Sequence, residues 1–302
     1  MSGFQEDFLG KKFRVELPFY QGENHQLINY HHFSVYLNKK RKLALFSASN
    51  NRKFSEKIDR RKFRKDKKNI DVDFQLGQEF YLSKTIDKST TDKSNIFDRG
   101  HITAKHYVDW GKNSEEAKKA SDDSFFFTNV TPQYWKINQS PGAWNKLEKF
   151  IMDNLNGKDV SVISGQIFRN DDPIATYINK KTGLRNKLQI PLKFWKVVYY
   201  IHNNVLKRIA FVIRQDKQVY KLPFIKRVGL KRSEVLKADP FDTLPKSLKI
   251  YIVNLSLIED ATNLKFSNGK DYLQGEKHLI NEPIKRERNF IELSTVNILD
   301  YL

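Results

Sequence analysis

Cysteine is absent from all 302 residues, so neither a disulfide nor a thiolate metal site can form. A reducing compartment suits such a chain. No run approaches the roughly 18 apolar residues that a membrane-spanning helix requires. The opening "MSGFQEDFLGKKF" has no apolar stretch behind a positive end, so it does not read as a secretory signal. Internal repeats and Pro-, Gly- or Ser-rich linkers are missing too. So is any recognition-helix or zinc-finger spacing, and sequence-specific readout of DNA is not expected. These absences lead to the expectation of a soluble, cytoplasmic protein that does not engage a membrane.

Acidic residues are the other scarcity. Against 54 Lys and Arg stand 35 Asp and Glu, a formal net charge of +19. Such a surplus repels itself in the compact state and suits a polyanionic partner. Nucleic acid is the first reading, and an anionic membrane surface the second. The run "NRKFSEKIDRRKFRKDKKN" concentrates this charge, with only Glu56, Asp59 and Asp66 as counterweight between Arg52 and Lys68. Its cations suit a salt-dependent, sequence-independent hold on phosphates. The plainer reading is a solvated basic face.

What is present is patterned mostly as short strands. "HHFSVYLNKKRKLALFSASN" reads as a hairpin, with β-rich runs Phe33 to Leu37 and Leu43 to Ser47 around a polar turn. Ser124 to Val130, Asp159 to Phe168, Phe194 to His202 and Arg208 to Gln215 read as further strands. "SPGAWNKLEKFIMDNL" reads as a helix, with Ser140 as N-cap, Pro141 in the first position, and Trp144, Leu147, Ile151 and Leu155 on one stripe. The fold class expected is α+β, a central antiparallel sheet flanked by helices.

Two stretches carry chemistry. "DRGH", Asp98 to His101, joins an imidazole able to take a proton near neutral pH to an arginine fork suited to phosphate oxygens. Gly100 would let the backbone approach a ligand or adopt a positive φ. Asp98 would hold the strand end or a neighbouring arginine at the border of the substrate. "FTNVTPQYWKINQSPGAWNKLE" supplies Asn129, Gln133, Asn138, Gln139 and Glu148, whose hard oxygen donors suit Mg²⁺. Taken alone, Asn138 could equally cap the helix and Glu148 face solvent. His25, His31, His32 and His106 lack the spacing of a zinc site and read as packing or surface residues.

The order D-R-G-H, then T-N-x-x-P-Q, then N…W-x-x-L-E resembles the DNA/RNA non-specific endonuclease family. That family includes endonuclease G and belongs to the ββα-metal (His-Me finger) nucleases. "YHHFSVYLNKKRKLALFSASN", "DDP", "IPLKFWKVV" and "IEDATNLKF" resemble further family blocks in family order, so the likeness runs from about Tyr30 to Phe266. The expected organisation is an N-terminal extension (1–29), an endonuclease domain (30–268) with a ββα-metal motif, and a C-terminal extension (269–302). The resemblance implies His101 as general base, Asn138 as direct ligand of a single Mg²⁺ (Mn²⁺ substituting), and Glu148 holding one of the ion's waters. It also implies Arg99 as a stabiliser of phosphate charge. Through the R-x-aromatic-x-x-D element in "RRKFRKD" it nominates Arg61 as a second phosphate contact, against one more cation in a basic run. Asn129 and Gln133 would brace the loop or contact the substrate backbone. One departure stands out: in many relatives the ligand asparagine lies four residues before the tryptophan, whereas Asn138 lies six before Trp144. A Ser-Pro pair is inserted, and Gln139 or Gln133 becomes an alternative ligand. The activity implied is Mg²⁺-dependent hydrolysis of DNA or RNA phosphodiesters. The alternative is a non-catalytic nucleic-acid-binding module on the same scaffold. An intracellular nuclease of this kind is expected to be restrained by an inhibitor or activating protein, as in a defence or toxin system. A homodimer is left open by the residues.

Overall fold

The computed structural model describes residues 3–52, 78–81, 84–85, 96–154, 157–179, 182–228, 239–242, 244–275 and 290–293. Within them nine strands pair into one sheet. Three come from the N-terminal part: β1 (His25–Asn29), β2 (Phe33–Asn38) and β3 (Leu43–Asn51). A separate pair, β4 (Phe97–His101) and β5 (Val130–Tyr134), forms a two-stranded antiparallel ribbon. The large sheet continues with β6 (Val160–Ile167), β7 (Lys193–His202), β8 (Val205–Arg214) and β9 (Ile250–Val253), and ends with β10 (Lys270–Asp271) and β11 (Phe290–Glu292). Its order is β11-β9-β8-β7-β6-β3-β2-β1, all antiparallel, with β10 parallel beside β8. The α+β fold with a central antiparallel sheet is the one expected.

Side chains alternate across this sheet and build two cores. On β7, Phe194, Val198 and Tyr200 join one core, while Trp195, Val197 and Tyr199 join the other. The first core is capped by α1 (Lys105–Val108), α2 (Ser114–Asp123), α3 (Trp135–Asn138) and α4 (Ala143–Asn154), the second by α5 (Leu255–Thr262). Asn203 and Asn204, both at positive φ, close the tight β7–β8 turn, a conformation asparagine tolerates better than most residues.

Several expectations change. The segment before Tyr30 is no appendage: β1 pairs with β2, and Phe4, Leu9 and Val15 are buried in the second core. At the other boundary, β10 pairs with β8 and Tyr272 is buried. Ser124 to Val130 is not one strand. Ser124 ends α2, and Phe127–Asn129 makes a 3₁₀ turn before β5 begins at Val130. The Asn129 side chain bonds the carbonyls of Thr103 and Ser124 and overrides the β-propensity of the phenylalanines. The helix starts at Ala143 rather than after Ser140, because a turn from Gln139 to Gly142 intervenes and the first helical bond runs from Lys146 N to the Gly142 carbonyl. Among the described residues no helix is long and apolar enough to cross a membrane.

The β4–β5 ribbon is seated on the large sheet by polar contacts. Thr131 Oγ1 bonds the buried Gln166 on β6, whose Nε2 donates to the Ala44 carbonyl at 2.6 Å. Thr103 and Ser47 pair their hydroxyls at 2.7 Å, and Gln215 Oε1 accepts from Tyr134 N at 2.8 Å. On β6 the face toward the ribbon carries Val160, Val162, Ser164 and Gln166, apolar at one end and polar where the ribbon sits. Substituting Gln166→Leu should orphan the Thr131 hydroxyl and the Ala44 carbonyl and cost about 1–3 kcal/mol for each group. Adding Thr131→Val should recover part of that loss. Urea unfolding of the single and double variants measures both, and an unchanged midpoint in Gln166→Leu would refute the seating.

Candidate active site

Along β4, Arg99 and His101 share one face, and Asp98 and Gly100 the other. Register places Asp98 opposite Gln133 and Gly100 opposite Thr131. The Gln133 side chain lies across Gly100, so a Cβ there would meet Oε1 at 2.2 Å and Cγ at 2.5 Å. Gly100 is not at positive φ and makes room for this glutamine, not for a ligand. Gln133 itself is fully buried, with neither amide atom hydrogen-bonded, so it is placed neither to touch substrate nor to ligate an ion there.

Asp98 organises the approach to the helices. Its Oδ2 accepts from Asn138 Nδ2 and its Oδ1 from Gln139 Nε2, both at 3.1 Å. A carboxylate can only accept, so the amide nitrogen of Asn138 must face it and the Asn138 Oδ1 is left for another partner. The inserted Ser140-Pro141 lies beyond this clamp and leaves Asn138 tied to the strand of His101. Asp98 thus positions two amides.

His101 ends the strand with its backbone carbonyl accepting from Trp144 Nε1 at 3.1 Å. Its ring stands edge-on to Phe125, centroids 5.0 Å apart, and its enclosed Nε2 has no hydrogen-bond partner. Burial first, then the nearby charges of Arg99 and Lys105, lower the imidazole pKa from 6.5 to about 4. The ring is therefore neutral near pH 7, the form that can accept a proton. Arg99 is half-buried, and burial lowers its pKa as well.

Beneath His101 lies a residue to which the sequence reading gave no role. Lys196, wholly buried on β7, donates to the Ile102 carbonyl at 3.2 Å and to Ser164 Oγ at 3.1 Å. Its Nζ sits 3.7 Å from Glu148 Oε1 and 3.9 Å from the centroid of the Trp144 ring. Glu148 is one turn beyond Trp144 on α4 and is likewise buried. Burial raises the Glu148 pKa to about 7, opposed by Lys196, and lowers that of Lys196 to about 8, opposed by Glu148. The signal was a lysine amid "FWKVVYY", a strand buried on both faces, where a charge requires a partner.

Other candidates separate from this cluster. Asn129 is fully buried; its Oδ1 accepts from Thr103 N and its Nδ2 donates to the carbonyls of Thr103 and Ser124. It braces the loop after His101 instead of meeting substrate. Arg61 and the basic run beyond Arg52 lie outside the described residues, while Arg52 pairs with Asp159. His31 bonds Asp123 at 2.7 Å, His32 stacks on Trp110 at 3.6 Å, and His25 packs between Tyr20 and Tyr36. Among the described residues no cluster of three or more His, Asp or Glu could by itself hold a metal ion. Asn138 and Glu148 carry oxygen donors of the hard type that suits a divalent cation keeping most of its waters.

Replacing Lys196 with Met should leave Glu148 as an unpaired buried carboxylate and cost about 3–5 kcal/mol. Combined with Glu148→Gln, the loss should fall well short of the sum of the two single losses. A double-mutant cycle by denaturant unfolding tests this, and simple additivity would refute the pairing.

Comparison with known proteins places the chain in a family. The DNA/RNA non-specific endonuclease family matches residues 14–273. The chain is 33% identical over 217 residues to the uncharacterized protein y4fB of Sinorhizobium fredii, covering 67% of this chain and 29% of that protein. To the mitochondrial Endonuclease G of Homo sapiens it is 33% identical over 105 residues, covering 34% of this chain and 33% of that one. These matches thus span a third or less of the curated relatives' length. The crystal structure of the EndoG/EndoGI complex superposes with a TM-score of 0.50 at 17% identity, over 80% of this chain and 84% of that one, a likeness of fold. With the family match spanning nearly the whole chain and the motif residues gathered on one ribbon and its helices, the chain belongs to the DNA/RNA non-specific endonuclease family.

Proposed function

We propose that the chain is a divalent-metal-dependent, sequence-non-specific endonuclease that hydrolyses phosphodiester bonds of DNA, RNA or both. The observation that carries this reading is the tie between two motifs. Asp98, three residues before the unpartnered imidazole of His101, clamps Asn138, and Trp144 ties the Glu148 helix to the His101 carbonyl.

In this reading the His101 imidazole takes the proton from a water aligned with the scissile phosphorus. Arg99, on the same face of the strand, stabilises charge on the phosphate oxygens, and Arg61 is nominated for the same task. Asn138 Oδ1 would ligate Mg²⁺, or Mn²⁺ in its place, and Glu148 would hold one of its waters. When bound, the ion would neutralise charge building on the phosphate and ease departure of the 3′ oxygen, leaving a 5′ phosphate and a 3′ hydroxyl. Lys196 keeps Glu148 in place from behind, and Asn129 shapes the loop that carries the base. The net charge of +19 supports attraction to any nucleic-acid backbone without base readout. The solved relative is a complex concerned with inhibition of EndoG. Restraint by a protein inhibitor, in a cytoplasmic defence or toxin setting, belongs to this proposal.

A plasmid nicking assay tests it. The chain should cut in Mg²⁺ or Mn²⁺ and stop in chelator, and His101→Ala should lower the rate by about 10²–10⁴-fold. Asn138→Ala should raise the metal concentration required. Because burial lowers the imidazole pKa to about 4, the rate profile should show no histidine limb near 6.5. A chain that binds DNA yet never cuts it in either metal would be the binding module instead.

A further inference from the structure

Beside the Asp98 clamp opens a cavity of about 740 Å³ that the nuclease reading does not use. One of its walls is the turn that follows Asn138, including the inserted Ser140-Pro141 and Gln139. Phe150, Leu248 and Ile250 give it an apolar side. At its mouth stands Trp135, 40% exposed and among the few large hydrophobic side chains at the surface. Trp135 and Asn138 are three apart on α3, one turn from each other on one side of the helix. The Lys136 ammonium lies 5.2 Å from the Trp135 ring centroid, and Lys146 lines the same cavity. Lys249 is committed to Glu292 at 2.8 Å.

A groove meant only for the backbone of a duplex needs cations, not an apolar recess with an exposed indole. An aromatic plate with lysines beside it suits a flat ring tethered to phosphate. The volume falls within the roughly 300–1,000 Å³ of sites that take small organic molecules. Gln139 is shared between the cavity wall and the Asp98 clamp, so the recess adjoins the clamp that also holds Asn138. A paired base is stacked within its duplex and cannot enter, whereas an unpaired base can stack on indole.

We propose that this cavity is a subsite for an unpaired nucleobase flanking the scissile phosphate. Trp135 is its stacking face, and Lys136 and Lys146 hold the adjoining phosphates. The inference rests on the nuclease reading for its place beside the scissile bond, and it makes single-stranded or locally unpaired nucleic acid the favoured substrate class. The Ser-Pro pair by which this chain departs from the family spacing becomes the wall of a specificity site.

Binding in chelator tests the subsite without any cleavage. His101→Ala protein is titrated with a fluorescent single-stranded oligonucleotide and with its duplex, alone and with Trp135→Ala or Trp135→Phe added. Trp135→Ala should lower the single-strand to duplex affinity ratio by about 5- to 100-fold, as expected for loss of one stacked base. Trp135→Phe should keep most of the ratio, and oligonucleotide should quench a share of tryptophan emission that Trp135→Ala lacks. Thermal melting confirms that each variant is folded. An unchanged ratio in folded Trp135→Ala overturns the proposal, as does an equal loss on single strand and duplex. Failure of wild type to cut in metal while the ratio responds to Trp135 removes the nuclease reading and leaves the base subsite standing.

Discussion

One buried ammonium holds the site together. Lys196 Nζ binds the Ile102 carbonyl beside His101, the Ser164 hydroxyl on β6 and the Glu148 carboxylate on α4, under the face of the Trp144 ring. A charge removed from water on a central strand is stable only with such a shell of oxygens and π density. The members of the shell come from three parts of the molecule: the residue after β4, strand β6, and helix α4, which supplies both Glu148 and Trp144. The cation therefore fixes the spacing between the end of β4 and the helix that carries Glu148, which no local sequence preference can do.

Burial, not the large surface charge, sets the protonation of this centre. The imidazole of His101 is pushed down, Glu148 is pushed up and Lys196 is pushed down, each chiefly because its charged form has lost water. The last two are brought toward neutrality from opposite sides and then hold one another. The surface surplus of Lys and Arg acts at longer range, on arriving polyanion, and its effect weakens with salt in a way that the buried pair's does not.

The ribbon that presents His101 is itself a compromise between close packing and polarity. Gly100 has no side chain because Gln133 occupies that space, and Gln133 remains buried without hydrogen-bond partners. Thr131 and Gln166, on the same side, do find partners and seat the ribbon on β6. The helical side is ordered through Asp98, whose two oxygens gather Asn138 and Gln139 and so join β4 to the turn that walls the neighbouring cavity. The Ser140-Pro141 turn walls the cavity and lies beyond the clamp.

By itself the sequence determined the α+β class, the β2–β3 hairpin and the long strands around Val162, Val198 and Phe211, because alternation and β-branched or aromatic residues act locally. It also determined the family, since D-R-G-H and N…W-x-x-L-E are contiguous patterns. Only the tertiary structure decided that Asn129 and Gln133 turn inward, that Asp98 serves amides, that residues before Tyr30 belong to the core, and that Lys196 meets Glu148. Each of these depends on contacts between residues distant along the chain: Lys196 and Ile102 are 94 positions apart, Asn138 and Asp98 40. Spacing within a motif says which chemistry is available. Which atoms are buried and which partners they find is settled only when the sheet, ribbon and helices close on one another.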